Sequence, residues 1–326
     1  MKKIGIGIMG AGYMGQTHAK TYANLDSAKI VGVADIDFSK AKDLANKYHC
    51  NAFKDYEELL DIPEIDAVSI CTPDAIHKEP VIFAARRNKH ILLEKPIATN
   101  LEDAESIAKA VKESGIIFQI GFVERFNKTY IVAQKALHEG AIGKLISIRS
   151  QRMNVRYASE YLVKRGDNII SFFGIHDIDL FHWFAGQIKK ISVEAGRYTF
   201  PEYPPHDDAA LILVRFESGA LGLIQLTWGL INSMPFKASS KLELIGDKGM
   251  INIDTVDHSV TINSEKGFNN LIGWDRSSAF NEQLSYFLDC IKENKPPKVG
   301  VEQGLSSLKI SLLAQECVKT GKSIII

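Results

Sequence analysis

One short segment, "GAGYMG" at residues 10–15, leaves this chain few folds to choose from. It follows the β-branched run "KIGIGIM" and opens a stretch of helical spacing, "YMGQTHAKTYANL", after which "KIVGVADID" reads as a second strand. A G-x-G-x-x-G pattern alone is weak, but between a buried strand and a helix it has a specific physical reading. Gly10 permits the sharp turn, Gly12 lets a pyrophosphate approach the backbone, and Gly15 lets the helix pack close on the sheet. The helix start offers unpaired amide donors and a positive dipole end to phosphates.

The alternation continues. "FSKAKDLANKYH" and "EELLD" read as helices, "DAVSICTP" as a strand and "KEPVIFAARRN" as a helix. "HILLEKP" is a strand, and "LEDAESIAKAVKESG" is a helix capped by Asn100 and stopped by Gly115, before the strand "IIFQIGF". Strands joined by crossover helices imply a doubly wound parallel sheet covered on both faces, here residues 1–121. From residue 122 the rhythm changes. A helix, "TYIVAQKALHEG", leads to the strand "KLISIRSQRM", a polar loop and the helical "SFFGIHDIDLFHWFAG". Strands without intervening helices follow, "FESGALGL" and "IGDKGMI" carrying glycine at hairpin positions, and two helices end the chain. Residues 122–326 thus read as an α+β domain with a large, mainly antiparallel open sheet. Its last helix, about 301–320, is expected to pack back on the first domain. One face of such a sheet must be covered or used, so a homodimer or homotetramer through it is expected.

Lys+Arg and Asp+Glu balance at 39 each, leaving no field to draw nucleic acid or an acidic membrane surface. No stretch approaches the roughly 20 apolar residues of a membrane span. Cys50, Cys71, Cys290 and Cys317 are scattered, which fits reduced thiols in a cytoplasmic protein and neither a disulfide framework nor a metal site.

Asp35 ends the second strand, 20 residues past Gly15, where a carboxylate can accept hydrogen bonds from adenosine ribose hydroxyls. Asp37 adds a second negative charge, with only Lys40 near to meet a 2′-phosphate, so NAD is favoured over NADP. Thr72 and Pro73, at the end of a later parallel strand, are placed to line the dinucleotide groove, with Asp74 as a helix cap and His77 on a helix surface. Tyr13 and Met14 either flank the cofactor or pack at the helix start.

The fingerprint, "EKP" at residues 94–96, "GFVERF" and "GIHDID" together resemble the Gfo/Idh/MocA family of oxidoreductases, over essentially the whole chain. That resemblance implies a Rossmann domain and hydride transfer between a nicotinamide and a secondary alcohol or ketone of a sugar, sugar derivative or cyclitol. It implies that Lys95 sits between nicotinamide and substrate hydroxyl, with a cis bond at Pro96. A lysine base must lose its proton near neutral pH, which burial beside a cationic nicotinamide favours. Glu94 either positions neighbouring groups at the cofactor or is structural. His176 matches the family's catalytic histidine; without the other motifs it would read as a core histidine among Phe172, Phe173 and Trp183. Asp179, three residues on, is placed to orient it. Arg125 matches a position near the domain junction, as a cofactor or substrate contact or an interdomain salt bridge. Arg152, Asn154 and His206 are candidate substrate contacts. Many members carry an aspartate four residues before the histidine; here that position is Phe172, which gives Lys95 more weight as acid/base. Two other readings stand beside this one. One is a redox-assisted glycosidase or eliminase that retains NAD. The other is a non-catalytic dinucleotide sensor, which would need neither Lys95 nor His176.

Overall fold

The computed structural model describes residues 3–203, 207–265, 267–272 and 277–326. The chain divides into two compact units, Met1–Val123 with Ser277–Leu308, and Glu124–Arg276 with Lys309–Ile326.

In the first unit, β1 (Ile4–Met9), α1 (Tyr13–Ala23), β2 (Ala28–Ala34), α2 (Phe38–Tyr48), β3 (Asn51–Phe53), α3 (Tyr56–Leu60) and β4 (Ala67–Ile70) follow in order. Then come α4 (Lys78–Arg86), β5 (His90–Leu93), α5 (Leu101–Ser114) and β6 (Phe118–Ile120). The six strands form one sheet in the order β3-β2-β1-β4-β5-β6, with every pair parallel. Ile6, Ile8, Val68, Ile70, Ile91 and Leu92 are buried because helices cover both faces. The caps behave as their residue types require: Asn100 Oδ1 accepts from Asp103 N–H at 2.8 Å, and Gly115 ends α5 with φ 67°. The three-residue β3 was not anticipated, being too short for periodicity to reveal.

The second unit holds α6 (Lys128–His138), β7 (Leu145–Val155), α7 (Arg156–Arg165), a wide π-helical turn at Ile170–Gly174 and α8 (Ile175–Ala185). Strands β8 (Ile188–Gly196), β9 (Ala209–Phe216), β10 (Leu221–Leu230), β11 (Ala238–Gly246), β12 (Gly249–Asp254), β13 (Ser259–Ser264) and β14 (Gly267–Ile272) follow. After α9 (Ser277–Glu293) and α10 (Val301–Thr320), β15 (Ile324–Ile325) adds an edge. The nine-stranded sheet runs β14-β13-β12-β11-β7-β10-β9-β8-β15, antiparallel except for the β7–β10 pair. Alternation along β9 and β10 turns Ile212, Val214, Ile224, Leu226 and Trp228 into the core and leaves Leu211, Leu213 and Leu221 exposed on the other face.

Two expectations are corrected. The polar stretch after β7 is not a loop but α7, whose only buried side chains are Ser159 and Val163; so narrow an apolar stripe leaves little helical signature. Residues 277–300 belong to the first unit, not the second: Leu284, Phe287 and Leu288 of α9 join the core of Ile4, Ile6, Ile8 and Tyr22. An amphipathic helix announces that it has a partner face, not which one. The first turns of α10 also pack in the first unit, where a Cβ on Gly304 would meet Ile97 and Ile120 at 3.2 Å. Its later residues Ile310, Ala314 and Cys317 lie in the second unit's core. Among the described residues no helix is long and apolar enough to cross a membrane.

Candidate active site

Neighbouring strands β2, β1, β4 and β5 end at one edge of the parallel sheet and hand over to Asp35, Gly10, Thr72 and the Glu94–Lys95 pair. This is the edge at which such sheets bind ligands, and the chain reverses direction of winding between β1 and β4. Gly10 has φ 91°, and an added Cβ would stand 2.7 Å from the Cys71 carbonyl oxygen. A Cβ on Gly15 would lie 1.8 Å from the Gly10 carbonyl oxygen, so α1 rests directly on the turn. Gly12 is different. Nothing lies within 4 Å of its Cβ position, no side chain caps α1 there, and the first turn carries no acid. An open space rimmed by helix-start amides fits the pyrophosphate of a dinucleotide.

Asp35 Oδ2 accepts from Ala11 N–H at 2.7 Å and Oδ1 from Asp37 N–H at 2.8 Å. The carboxylate braces the glycine turn and keeps lone pairs for ribose hydroxyls. Asp37 caps α2 through Ser39 N–H and lies 3.2 Å from Lys40, a contact that lowers its pKa and leaves that lysine engaged. Tyr13 is 83% exposed and does not pack at the helix start; Met14 is half-buried. Thr72 Oγ1 is buried with no hydrogen-bond partner among the described residues, while the Asp74 carboxylate accepts from Ala75 N–H in the short turn after Pro73.

Lys95 is half-buried, and the Lys95–Pro96 peptide is cis. Its neighbours face inward. The Glu94 carboxylate lies 3.2 Å from Nε2 of His18, a fully buried ring whose Nδ1 is 3.4 Å from Cys71 Sγ. The Glu94 contact is a charge contact without the angle of a hydrogen bond. Gly121 makes room for it, since a Cβ there would stand 2.8 Å from Glu94 Oε1. One Glu94 oxygen is thereby turned inward, to His18. His77, expected on a helix surface, is 1% exposed: Nδ1 lies 2.9 Å from the Pro96 carbonyl and Nε2 3.0 Å from that of Thr72. It precedes α4 and looks back at the strand ends. Burial lowers its pKa, and a neutral ring donates to one of the two carbonyls at a time.

In the second unit, His176 is half-buried in the first turn of α8. Asp179 does not orient it. Both Asp179 oxygens are taken by Arg125, at 2.7 and 2.8 Å, in a bidentate pair over which Trp183 is stacked. Arg125 is thereby committed within its own unit. Arg152, expected to touch substrate, is 2% exposed and held by Asp177 at 2.7 Å and Glu124 at 3.2 Å. Burial pulls the Arg152 pKa down, but Asp177 and Glu124 more than offset it. Burial pushes the carboxyls of Asp177 and Asp179 up, against their arginine partners. Asn154 is half-buried, and its Oδ1 has no partner among the described residues. Phe172 and Phe173, in the π-helical turn, pack on Trp228 with ring centroids 6.4 and 5.9 Å away. His206 lies outside the described residues.

Residues 4–122 match the model of an oxidoreductase family with an NAD-binding Rossmann fold, and residues 130–252 match the GFO/IDH/MocA C-terminal domain. The chain belongs to the Gfo/Idh/MocA oxidoreductases. It is 31% identical to scyllo-inositol 2-dehydrogenase (NAD(+)) of Bacillus subtilis, over 96% of this chain and 94% of that one. It is 30% identical to 2,7-anhydro-N-acetylneuraminate hydratase of Escherichia coli, over 77% of this chain and 68% of that one. Among solved structures, scyllo-inositol dehydrogenase of Lactobacillus casei with bound NAD(H) and scyllo-inositol superposes with a TM-score of 0.87 at 25% identity, covering 99% of each chain. As a Gfo/Idh/MocA member the chain is an NAD-dependent oxidoreductase acting on CH–OH groups. Three further residues of this member shape the site and escaped sequence reading: His18, Glu124 and Asp177. The signal for the acids was present, since each lies in an apolar segment that could hold a charge only against an arginine. His18 gave none, because an i+3 histidine after the glycine turn looks like any helix residue.

Proposed function

We propose that this enzyme oxidises, reversibly, a secondary hydroxyl of a cyclitol, with Lys95 as the principal acid/base. The bound nicotinamide supplies the hydride acceptor for the carbinol carbon. Lys95 takes the hydroxyl proton during oxidation and returns it to the developing alkoxide in reduction. His176 is the second proton-handling group, and Asn154 offers its unpartnered Oδ1 to a substrate hydroxyl. Phe172 places an aromatic face where an acid stands in many relatives, which suits the C–H face of a ring. The observation that supports this reading most is the delivery of Lys95 to the strand edge that also carries the glycine turn, Asp35 and Thr72. The inositol dehydrogenase relatives support a cyclitol as the substrate class. The test is a nicotinamide absorbance assay of NAD with scyllo- and myo-inositol, in which steady NADH formation is expected and its absence with every cyclitol refutes the substrate class.

We read the exposed leucines on the outer sheet face as a contact between copies, in a dimer or tetramer, and the four free cysteines as those of a cytoplasmic enzyme. Sedimentation measures the first: Leu213→Lys is expected to shift the assembly toward monomers.

A hydratase relative favours one further reading, in which NAD is retained and a sugar acid is hydrated with no net redox change. Turnover of an anhydro sugar acid without a lasting change in nicotinamide absorbance distinguishes it.

A further inference from the structure

Two buried histidines reach the same short segment from different helices. His18 of α1 bridges Cys71, just past β4, and Glu94, just past β5. His77, at the start of α4, bridges Thr72, just past β4, and Pro96. Both rings therefore span the same two strand ends, and they hold the residues immediately before and after Lys95. We propose that His18 and His77 are positioning residues for Lys95: His18 binds the Glu94 carboxylate inward and neutralises it, and His77 pins the backbone at Pro96. The inference rests on the reading of Lys95 as acid/base.

The physical need is clear at Glu94. Its side chain is 9% exposed, and an unpaired carboxylate so placed is costly. With no imidazolium opposite, the charge of that carboxylate stays uncompensated one residue before Lys95, and a negative charge nearby favours the protonated form of an amine. The groups that face His18 among the described residues are Glu94, Cys71, the edge of Tyr22 and the tilted ring of Phe280, so the acidic groups against it are Glu94 and Cys71. Burial lowers the pKa of His18, Cys71 and Glu94 raise it, and the balance lies above the ordinary histidine value. Burial pushes the Cys71 thiol up, and His18 pulls against it. At His77 the ring is neutral and the contacts are to carbonyls, so its effect is on backbone position and not on charge.

The experiment uses the full chain without substrate. The pH midpoint for acetylation of Lys95 is read by mass spectrometry in the native chain, His18→Leu, Glu94→Gln and the double variant. His18→Leu is expected to raise the midpoint by about one unit, the low end of the shift that a nearby opposite charge produces. Adding Glu94→Gln removes that charge and is expected to restore at least half of the shift, along with the lost Tm. A midpoint unmoved in His18→Leu, additive losses, or a double variant that does not fold overturns the charge role. For His77, amide exchange across residues 95–98 is expected to quicken about tenfold in His77→Leu and less in His77→Gln, which keeps a donor. Equal exchange in the two variants overturns the pinning role. Because no step needs substrate or hydride transfer, failure here is distinct from failure of the assigned reaction, which Lys95→Ala turnover decides.

Discussion

Gly12 and Gly15 lie three residues apart, yet alanine at each should do different things. At Gly15 the new methyl would sit 1.8 Å from the Gly10 carbonyl oxygen, far inside contact distance. Helix α1 or the turn must move by more than an ångström, an overpacking cost of about 1–3 kcal/mol. At Gly12 the backbone has φ −71°, which alanine adopts freely, and nothing lies within 4 Å of the methyl. The fold should lose no more than about 1 kcal/mol, the typical penalty of alanine at a helix N-cap. The methyl fills the space that admits a pyrophosphate. Loss of even one charge-assisted hydrogen bond there is worth about 1.5–3 kcal/mol, which is roughly 10- to 150-fold in affinity. NADH fluorescence titration and thermal unfolding, run on both variants, separate the effects. Gly12→Ala should bind NADH at least tenfold more weakly with a Tm within about 3 °C of native. Gly15→Ala should lose binding and several degrees together. Native affinity in Gly12→Ala would refute the assignment of that space to the cofactor.

Arg152→Met removes the arginine that holds buried Asp177 and should cost about 3–5 kcal/mol in urea denaturation, whereas a loss below about 1 kcal/mol would mean the pair is solvated. Asp35→Ser removes an acceptor for Ala11 N–H as well as a negative charge, so NADH should bind more weakly while NADPH gains relative to it; a native enzyme that already prefers NADPH contradicts the reading of Asp35. The stability contributed by His18, whose pKa is raised to about 10, is fully present below pH 6.5 and is lost as pH rises through about 10. Unfolding free energy should fall across that alkaline window in the native chain and fall less in His18→Leu; parallel curves would remove His18 as the cause.

Much of the fold was legible because its signals are local and repeat. Asn100 and Gly115 mark the ends of α5, and alternating residues in β9 sort themselves into core and open face. The glycine turn was readable residue by residue, since each glycine answers a distinct steric demand. What was not legible is tertiary choice. Nothing in "SFFGIHDID" says that Asp179 will be claimed by Arg125, 54 residues away in sequence, before it can serve His176. A bidentate guanidinium simply outcompetes an imidazole for a buried carboxylate. Likewise His77 looks exposed in any helical projection, and its burial follows only from the meeting of β4 and β5 at one edge. The narrow stripe of α7 and the apolar face of α9 failed for the same reason: periodicity reports a face, and packing selects its partner.

The most direct measurement is turnover of scyllo-inositol with NAD by the native chain and by Lys95→Ala, together with the Kd for NADH of each. Removal of the acid/base should lower kcat by at least about 100-fold while NADH affinity stays within a few fold. Turnover by Lys95→Ala at rates near those of the native chain would contradict the account at its centre.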